Sequence, residues 1–212
     1  MILDMAVRVL PSIRVFTIDT GRLPPETHQM IATVTSRYGI PVDIVTPDAA
    51  EVEAMVSRHG RDLFFDGVPQ RMLCCELRKV RPLDSYLKRT GATAVLAGLR
   101  RSQSETRSAV PRVDESGALV KISPLADWTK AQVDSYMREH DVPVHPLYGR
   151  GYASIGCSPC TRAIEPGESE RAGRWWWEEN AAKECGIHFT ADGKAGRAVD
   201  VLLDAVLSAP HV

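Results

Sequence analysis

The sequence predicts an α/β domain with a mainly parallel sheet and helices on both of its faces. Strand-length apolar runs alternate with helix-length amphipathic segments along most of the chain, which is the pattern of repeated β–α units. The strand segments are apolar at most positions, as expected when helices cover both faces of a parallel sheet. A length of 212 residues with 44% hydrophobic and 25% charged residues suits one domain with a substantial core.

The first half of the chain is predicted to form helix, strand, helix, strand and helix. Helix-forming residues with an apolar face open the chain and stop at Pro11, and the next strand is closed by Asp19, Thr20 and Gly21. A proline begins the second helix, which ends near Gly39. The predicted elements are helix 1–10, strand 13–18, helix 24–38, strand 42–45 and helix 48–58.

The second half is predicted to continue this alternation, with a small hairpin added. We expect a less regular stretch over 60–73, and Pro82 should split the next helix because proline lacks a backbone donor. An arginine- and tryptophan-rich helix is expected between Cys160 and Cys185. The other predicted elements are helix 77–89, strand 93–97, hairpin 110–113 with 120–122, helix 129–140 and helix 198–207.

Composition and charge exclude several classes of function. The formal net charge of −1 gives no indication of a nucleic-acid or acidic-membrane partner. No apolar run reaches the roughly 18 residues that span a bilayer, and Asp4 and Arg8 interrupt the opening segment, so no signal peptide is expected. We therefore predict a cytoplasmic protein. In that reducing compartment the five cysteines are better explained as metal ligands or a nucleophile than as disulfides.

Four of the cysteines form two close pairs, Cys74-Cys75 and Cys157-x-x-Cys160. The second spacing brings two thiolates to one metal centre, as in zinc ribbons and iron–sulfur proteins. Adjacent cysteines in an extended segment point in opposite directions, so they reach one small ion only with strain, whereas a cubane offers separate iron atoms. The pattern favours a [4Fe–4S] cluster. Buried cysteines without metal, a structural zinc site and a redox dithiol at Cys157 and Cys160 remain open.

The fifth cysteine, Cys185, lies beside a glycine in the segment KECGIH. A thiol acts as a nucleophile when nearby cations stabilise its thiolate. Lys183, Arg171 and Arg174 are candidates for those cations. The local sequence leaves open whether Cys185 is catalytic or incidental.

Six short segments carry the most specific pattern in the chain. In order they are IDTGRL (18–23), CCELRK (74–79), GLRRSQS (98–104), GYASIGCSPCTR (151–162), ERAGRWWWEE (170–179) and KECGIH (183–188). Together they resemble the assimilatory adenylyl-sulfate reductases, the iron–sulfur type of the phosphoadenylyl-sulfate reductase family. The likeness extends over residues 1–188.

The resemblance implies an adenine nucleotide alpha-hydrolase-like fold and a specific reaction. A [4Fe–4S] cluster would be held by Cys74, Cys75, Cys157 and Cys160. Cys185 would attack the sulfur of adenosine 5′-phosphosulfate (APS), giving S-sulfocysteine and AMP. Thioredoxin or a similar dithiol carrier would then release sulfite. The implied role is in sulfate assimilation and cysteine biosynthesis.

The resemblance also implies the substrate contacts. Cations should stabilise charge that develops on the leaving group, and nucleotides bind at the carboxyl ends of strands in open α/β sheets. Arg171 and Arg174 are three residues apart on a predicted helix and would share one face. The implied contacts are Lys79, Arg171 and Arg174 at the phosphosulfate, Arg107 at a phosphate or ribose, Thr20 and Gly98 at strand ends, and the Ile18 main chain at adenine.

The family pattern also implies a domain boundary and a missing piece. We expect a catalytic domain over 1–190 and a C-terminal extension over 191–212 that covers the thiol, mediates assembly or is a harmless addition. Nucleotide-binding α/β domains begin with a strand and a glycine-rich turn, but the first predicted element here is a helix. We therefore expect the first strand and phosphate loop to be missing. Either the start of the sequence was assigned too late, or the chain is truncated.

Two rival functions remain at this point. The first is a noncatalytic iron–sulfur protein, such as a redox sensor or partner module, which would keep the cluster but not turn over substrate. The second is a reductase of the 3′-phosphorylated substrate, although enzymes of that type usually lack the two cysteine pairs. The sequence also leaves a homo-oligomer open.

Overall fold

The structure is a computed structural model that describes residues 1–10, 12–178 and 193–208. Its contacts divide the chain into two compact units. Unit 1 consists of Met1–Phe16, Leu23–Asp43 and Thr90–Arg174. Unit 2 consists of Thr17–Arg22, Ile44–Arg89 and the described residues from Trp175 onward.

Helices and strands alternate through the first half of the chain, as the sequence predicts. The helices are α1 (Ile2–Val9), α2 (Pro25–Tyr38), α3 (Ala49–His59), α4 (Val68–Cys75), α5 (Arg81–Thr90), α6 (Lys130–Glu139) and α7 (Gly193–Leu207). The strands are β1 (Val15–Ile18), β2 (Val42–Val45), β3 (Ala94–Leu96), β4 (Val113–Asp114) and β5 (Val120–Ile122). A π-helical turn, Glu76–Val80, separates α4 from α5.

Strands β3, β5 and β4 form a three-stranded sheet in unit 1, with β5 in the middle. Ala94 pairs with Val120 and Leu96 pairs with Ile122 in the parallel β3–β5 ladder. Val113 pairs with Ile122 in the antiparallel β4–β5 ladder. The predicted hairpin and the predicted parallel strand pairing are therefore both confirmed.

Strands β1 and β2 form a separate two-stranded sheet. Just beyond β1, the backbone N–H of Asp19 donates to the carbonyl of Val45 at 2.8 Å. Gly21 follows with a φ of 71°, in the left-handed region that glycine adopts without steric cost. The pairing with Val45 continues past the strand and fixes the start of the Asp19-Thr20-Gly21 turn.

A buried carboxylate joins three helices of unit 1. Asp4 of α1 is 4% exposed and accepts hydrogen bonds from the hydroxyls of Tyr38 at the end of α2 and Tyr136 of α6, at 3.1 and 2.6 Å. Arg8, one turn along α1, pairs with the same carboxylate at 3.0 Å. Asp4 thus holds α1, α2 and α6 together through polar contacts, in addition to their apolar faces.

The helix that contains the first cysteine pair is continuous, contrary to the predicted split at Pro82. Segment α4 runs directly into the π-helical turn and then into α5, which contains Pro82. Pro82 has no N–H to give the carbonyl of Arg78 four residues earlier. The π-helical turn lies at this position, and such turns insert one extra residue into a helix without ending it.

Helix α7 packs against α3 and α4 within unit 2. Val199 and Val206 of α7 are 7% and 2% exposed, and Arg58 of α3 donates to the carbonyl of Ala205 at 3.2 Å. The described part of the segment after residue 190 therefore contributes apolar surface to the core of unit 2.

Two predicted elements are wrong. The stretch 60–73 is not irregular throughout, because α4 begins at Val68. The arginine- and tryptophan-rich residues 171–177 form turns instead of a helix. Arg174 pairs with Thr161 in an isolated antiparallel bridge, and Trp175 has a φ of 42° in the left-handed region. Both features exclude a continuous right-handed helix there.

Among the helices that the structure describes, none is long and apolar enough to cross a membrane.

Candidate functional site

Cys74 and Cys75 end α4 in unit 2 and are 8% and 5% exposed. Both cysteines are helical, not in an extended segment as expected from the sequence. Successive side chains on a helix point about 100° apart. The two thiols therefore still diverge, which suits two separate metal atoms better than one small ion.

Lys79 lies on the π-helical turn four residues after Cys75 and is half-buried. Its neighbour Arg78 is 8% exposed and donates through Nη1 to the carbonyl of Thr20 at 2.7 Å. Thr20 is 1% exposed, and its hydroxyl accepts from the N–H of Arg22 at 3.2 Å. Arg78, which the sequence analysis gave no role, thus joins the helix of the cysteine pair to the turn that contains Thr20.

The helix that ends with Cys74 and Cys75 also supplies the arginine of a buried ion pair with Glu178. Arg71 Nε and Glu178 Oε1 are 2.5 Å apart, with side chains 2% and 4% exposed. The Arg71 guanidinium also lies 4.6 Å from the ring centroid of Trp175, which is a cation–π distance. Arg71 precedes Cys74 and Cys75 by three and four residues, so it shares their region of the helix surface.

The carboxylate next to Cys75 is strongly influenced by burial. Burial raises the pKa of Glu76, Asp200 and Asp84 raise it further, and Arg81 lowers it. Arg81 is itself paired with Glu51 of α3 at 2.6 Å. One cation and two carboxylates of unit 2 therefore act on Glu76, and its pKa stays above the ordinary value.

Cys157 and Cys160 enclose a tight turn in unit 1, and both are 7% exposed. The N–H of Cys160 donates to the carbonyl of Cys157 at 3.0 Å. The Thr161 hydroxyl donates to that carbonyl at 3.0 Å and accepts from the N–H of Gly156 at 3.1 Å. The turn is therefore held by hydrogen bonds on both sides of the two thiols.

Arg174 lies directly beside this turn. Its Nη1 donates to the carbonyl of Ile155 at 3.4 Å, and its backbone pairs with Thr161. A Cβ added to Gly156 would lie 2.6 Å from Cζ of Arg174, far inside normal contact. The guanidinium thus packs directly against the Cα of Gly156, immediately before Cys157, and a side chain at that position would displace it.

The other predicted cations of unit 1 are also buried. Arg171 is 9% exposed, and Arg107 is 8% exposed with Nη1 donating to Gln103 Oε1 at 2.5 Å. Gln103 Oε1 also accepts from the N–H of Arg100, whose guanidinium pairs with Glu170 at 2.6 Å. Gln103 therefore links Arg107 to Arg100, which the sequence analysis did not single out.

Gly98 follows β3 in unit 1 and is exposed. A Cβ placed there would meet Cδ1 of Ile2 at 3.7 Å, an ordinary contact. Its surroundings therefore leave the backbone accessible, which fits the predicted close approach of a ligand.

A comparison with models of protein families matches residues 1–163 to the phosphoadenosine phosphosulfate reductase domain. The chain belongs to the phosphoadenosine phosphosulfate reductase family. The resemblance carried by the six sequence segments is therefore confirmed.

Curated relatives in this family carry more specific names. An adenosine 5′-phosphosulfate reductase of Allochromatium vinosum is 49% identical over 178 residues, which cover 83% of this chain and 69% of that protein. One of Rhizobium tropici is 43% identical over 182 residues, covering 85% of this chain and 100% of that protein. The chloroplastic 5′-adenylylsulfate reductase 3 of Arabidopsis thaliana is 47% identical over 186 residues, which cover 82% of this chain and 40% of that protein.

Solved structures support the family fold. A phosphoadenylyl-sulfate reductase from Candida auris, crystallised with phosphate, superimposes with a TM-score of 0.63 at 34% identity over 74% of this chain and 75% of that chain. An FMN adenylyltransferase from Candida glabrata matches with a TM-score of 0.52 at 15% identity, over 94% of this chain and 68% of that chain. The latter likeness concerns the fold alone, and it agrees with the predicted adenine nucleotide alpha-hydrolase-like class.

The cysteines of this family member fit the cluster that the resemblance implies. Thiolates are the usual ligands of iron–sulfur clusters, and all four side chains of the two pairs are buried. Each unit contains two of these thiols. Within either unit, the described residues form no group of three or more His, Cys, Asp or Glu that could hold a metal ion. The donor chemistry therefore matches a cysteine-ligated cluster more closely than an oxygen-rich metal site.

The predicted site residues divide between the two units. Unit 2 contains Ile18 at the end of β1, Thr20, Cys74, Cys75 and Lys79, and unit 1 contains Gly98, Arg107, Cys157, Cys160, Arg171 and Arg174. Cys185 lies outside the described residues. Sequence reasoning missed Arg71, Arg78, Gly156 and Thr161, although all but Arg71 fall in the recognised segments. Arg71 and Arg78 act through partners 107 and 58 residues away, for which the local pattern carries no signal. Gly156 and Thr161 were missed because their contacts with Arg174 depend on the tertiary fold.

Proposed function

We propose that this protein reduces APS to sulfite and AMP in sulfate assimilation, with Cys185 as the nucleophile. The observation that supports this most strongly is the local association of thiols with cations in each unit. Lys79 follows Cys75 by one turn of helix, and Arg174 lies beside the turn of Cys157 and Cys160. The names of its relatives agree with this substrate.

In the first half-reaction, the Cys185 thiolate attacks the sulfur of the phosphate–sulfate anhydride. An S–S bond forms, the S–O bond to the phosphate breaks, and AMP leaves with that electron pair. Lys79, Arg171 and Arg174 would hold the phosphosulfate and stabilise the charge that accumulates on the leaving phosphate. The enzyme is left with S-sulfocysteine.

In the second half-reaction, two electrons come from thioredoxin or a similar dithiol carrier. One carrier thiolate attacks the Cys185 sulfur, forms a mixed disulfide and releases sulfite. The second carrier thiol then displaces Cys185, which leaves the carrier as a disulfide and the enzyme thiol regenerated. The sulfur is thereby reduced by two electrons, and the carrier dithiol is oxidised by the same number.

The two cysteine pairs would hold a [4Fe–4S] cluster in the working protein. When bound, the cluster would supply positional restraint and local charge, because the carrier already provides both electrons. The chain's own residues supply the remaining positioning: Arg78 holds the Thr20 turn, and Gly156 and Thr161 support Arg174.

Turnover of the anaerobically purified protein with APS and reduced thioredoxin tests this proposal. We expect sulfite and AMP in equal amounts, and we expect Cys185→Ser to abolish both while keeping the visible absorbance of the cluster. Sulfite production that persists in Cys185→Ser would contradict the assignment of the nucleophile.

One observation supports the 3′-phosphorylated nucleotide as an alternative substrate. The Candida auris protein, which is 34% identical, is a phosphoadenylyl-sulfate reductase. Competition between the two nucleotides for the same protein distinguishes them. We expect a higher kcat/KM for APS, because by resemblance the two cysteine pairs accompany the unphosphorylated substrate. A preference for the 3′-phosphorylated form would overturn the substrate assignment.

A further inference from the structure

The guanidinium of Arg174 occupies the position that a side chain on Gly156 would take, so a side chain there would displace it. A Cβ there would lie 2.6 Å from Cζ and 3.0 Å from Nη1 of Arg174. Ordinary contact begins at 3.4 Å, so a methyl group would require the guanidinium to move by close to 1 Å. Arg174 is 6% exposed, and side chains packed in this way have few alternative positions.

The Thr161 hydroxyl fixes the backbone on which the guanidinium rests. It accepts from the N–H of Gly156 at 3.1 Å and donates to the carbonyl of Cys157 at 3.0 Å. Thr161 is 6% exposed, and the loss of its hydroxyl would remove the partner of the Gly156 N–H and one of the two donors to the Cys157 carbonyl, the other donor being the N–H of Cys160. The conformation of Gly156 and Cys157 therefore depends in part on this hydroxyl.

The same threonine also fixes the backbone of the arginine. Thr161 and Arg174 form an antiparallel bridge, and the N–H of Arg162 donates to the carbonyl of Gly173 at 2.9 Å. The turn that bears Cys157 and Cys160 thus contacts Arg174 through both its main chain and its side chain.

We propose that Gly156 and Thr161 are positioning residues that hold Arg174 in its substrate-binding position. The turn of Cys157 and Cys160 carries this support, so the metal-ligand loop and a phosphosulfate cation form one structural element of unit 1. This inference rests on the proposed function, because it takes APS as the ligand of Arg174. It assigns Gly156 and Thr161 no contact with substrate.

The affinity for APS of the cluster-containing Cys185→Ser protein tests the proposal without turnover. In that background, Gly156→Ala is expected to weaken APS binding about 10- to 100-fold, as a misplacement of about 1 Å can do. The matched control is Gly149→Ala, since a Cβ at Gly149 meets no atom within 4 Å and should leave the affinity unchanged.

A double-mutant cycle shows whether the effect passes through Arg174. Arg174→Ala alone should weaken APS binding, and Gly156→Ala should add little in that background, because the displaced group is already absent. Full additivity of the two losses would overturn the proposal. If the parent protein itself binds no APS, the proposed function fails instead, so the two failures are distinguishable.

Variants of Thr161 provide a second, independent comparison if the Gly156→Ala protein does not fold or does not bind its cluster. Thr161→Val removes the hydroxyl at nearly constant volume, whereas Thr161→Ser keeps it. We expect Thr161→Val to lose APS affinity while keeping the visible absorbance of the cluster, and Thr161→Ser to bind like the parent. Parent-like binding by Thr161→Val, or equal losses in both variants, would contradict the positioning role.

Discussion

The two cysteine pairs are supported in different ways. Cys74 and Cys75 lie at the end of α4, which runs on into a π-helical turn, and Arg71, one helical turn before them, forms a buried ion pair with Glu178. Cys157 and Cys160 lie in a short turn without a long helix, held by the Thr161 hydroxyl. The first pair depends on packing between elements distant in sequence, and the second depends on contacts within a few residues of the thiols.

This difference leads to different expected consequences of substitution. Damage to the support of Cys74 and Cys75 should lower the free energy of unfolding, because that support belongs to the core of unit 2. Damage to the support of Cys157 and Cys160 should mainly disturb local geometry, because the bridge between Thr161 and Arg174 fixes the register between two loops.

The largest expected effect comes from the thiols themselves. Cys74→Ser and Cys160→Ser should each abolish the brown colour and bound iron of the anaerobic preparation, since a cluster needs thiolates from both pairs. Iron analysis and visible absorbance measure this loss, and Cys185→Ser is the control that should retain both. Stoichiometric zinc without iron in the unaltered protein would refute the cluster.

The second largest expected effect is a loss of stability when the ion pair beside Cys74 and Cys75 is broken. Arg71→Met leaves the Glu178 carboxylate buried without its counter-ion and should lower the free energy of unfolding by about 3–5 kcal/mol. The matched control is Lys88→Met, at an exposed pair with Asp84 on α5, which should cost at most about 0.5 kcal/mol. Denaturant unfolding measures both variants. Equal midpoints would show that the buried pair is not a stabilising contact.

A smaller loss is expected at the support of the second pair. A Cβ at Gly173 would overlap the carbonyl oxygen of Arg162 and approach Cγ2 of Ile164 at 3.2 Å. Gly173→Ala should therefore open the bridge between Thr161 and Arg174, at a cost of about 1–3 kcal/mol. Gly149→Ala serves as the control in unfolding experiments, and a loss no larger than that of the control would contradict this account.

The smallest effect is a pH dependence in unit 1. Burial raises the pKa of Asp4, but hydrogen bonds from Tyr136 and Tyr38 and the charge of Arg8 outweigh it, so the pKa lies below its ordinary value. A lowered carboxyl pKa stabilises the fold above the unfolded value of about 3.9, and this contribution is lost as the pH falls through the folded pKa.

Tyr38 contributes a corresponding loss of stability at high pH. Burial and the bond to Asp4 raise the pKa of Tyr38 to about 12. This contribution is complete below the unfolded pKa of about 10 and is lost as the pH rises through the folded value. Asp4→Asn should cost about 1 kcal/mol at neutral pH and reduce both dependences. Unfolding curves at several pH values measure this. If the free energy of unfolding of Asp4→Asn changed with pH as steeply as that of the parent protein, the role of Asp4 would be contradicted.

Local patterns were sufficient to predict most of the α/β alternation. Strand 42–45 was predicted at its observed bounds, and Thr129 caps α6 with the side-chain bond that its position suggests. The cysteine pairs and most of the predicted cations were also visible as short segments, because their residue types and spacings are unusual.

The features that were missed depend on contacts between distant residues. An arginine- and tryptophan-rich helix was expected between Cys160 and Cys185, but residues 171–177 form turns, because Arg174 bridges to Thr161 and Trp175 has a positive φ. Pro82 was expected to split the helix over 77–89, but the helix stays continuous because a π-helical turn precedes the proline. Arg71 has no sequence signal because its partner Glu178 is 107 residues away.

The central claim is that Cys185 receives the sulfo group of APS. The most direct measurement is the intact mass of the anaerobic protein after incubation with APS and no reductant. We predict a gain of one sulfo group per chain, absent in Cys185→Ser and removed by reduced thioredoxin. A folded protein that holds its cluster but gains no mass would contradict the claim and favour a noncatalytic iron–sulfur protein.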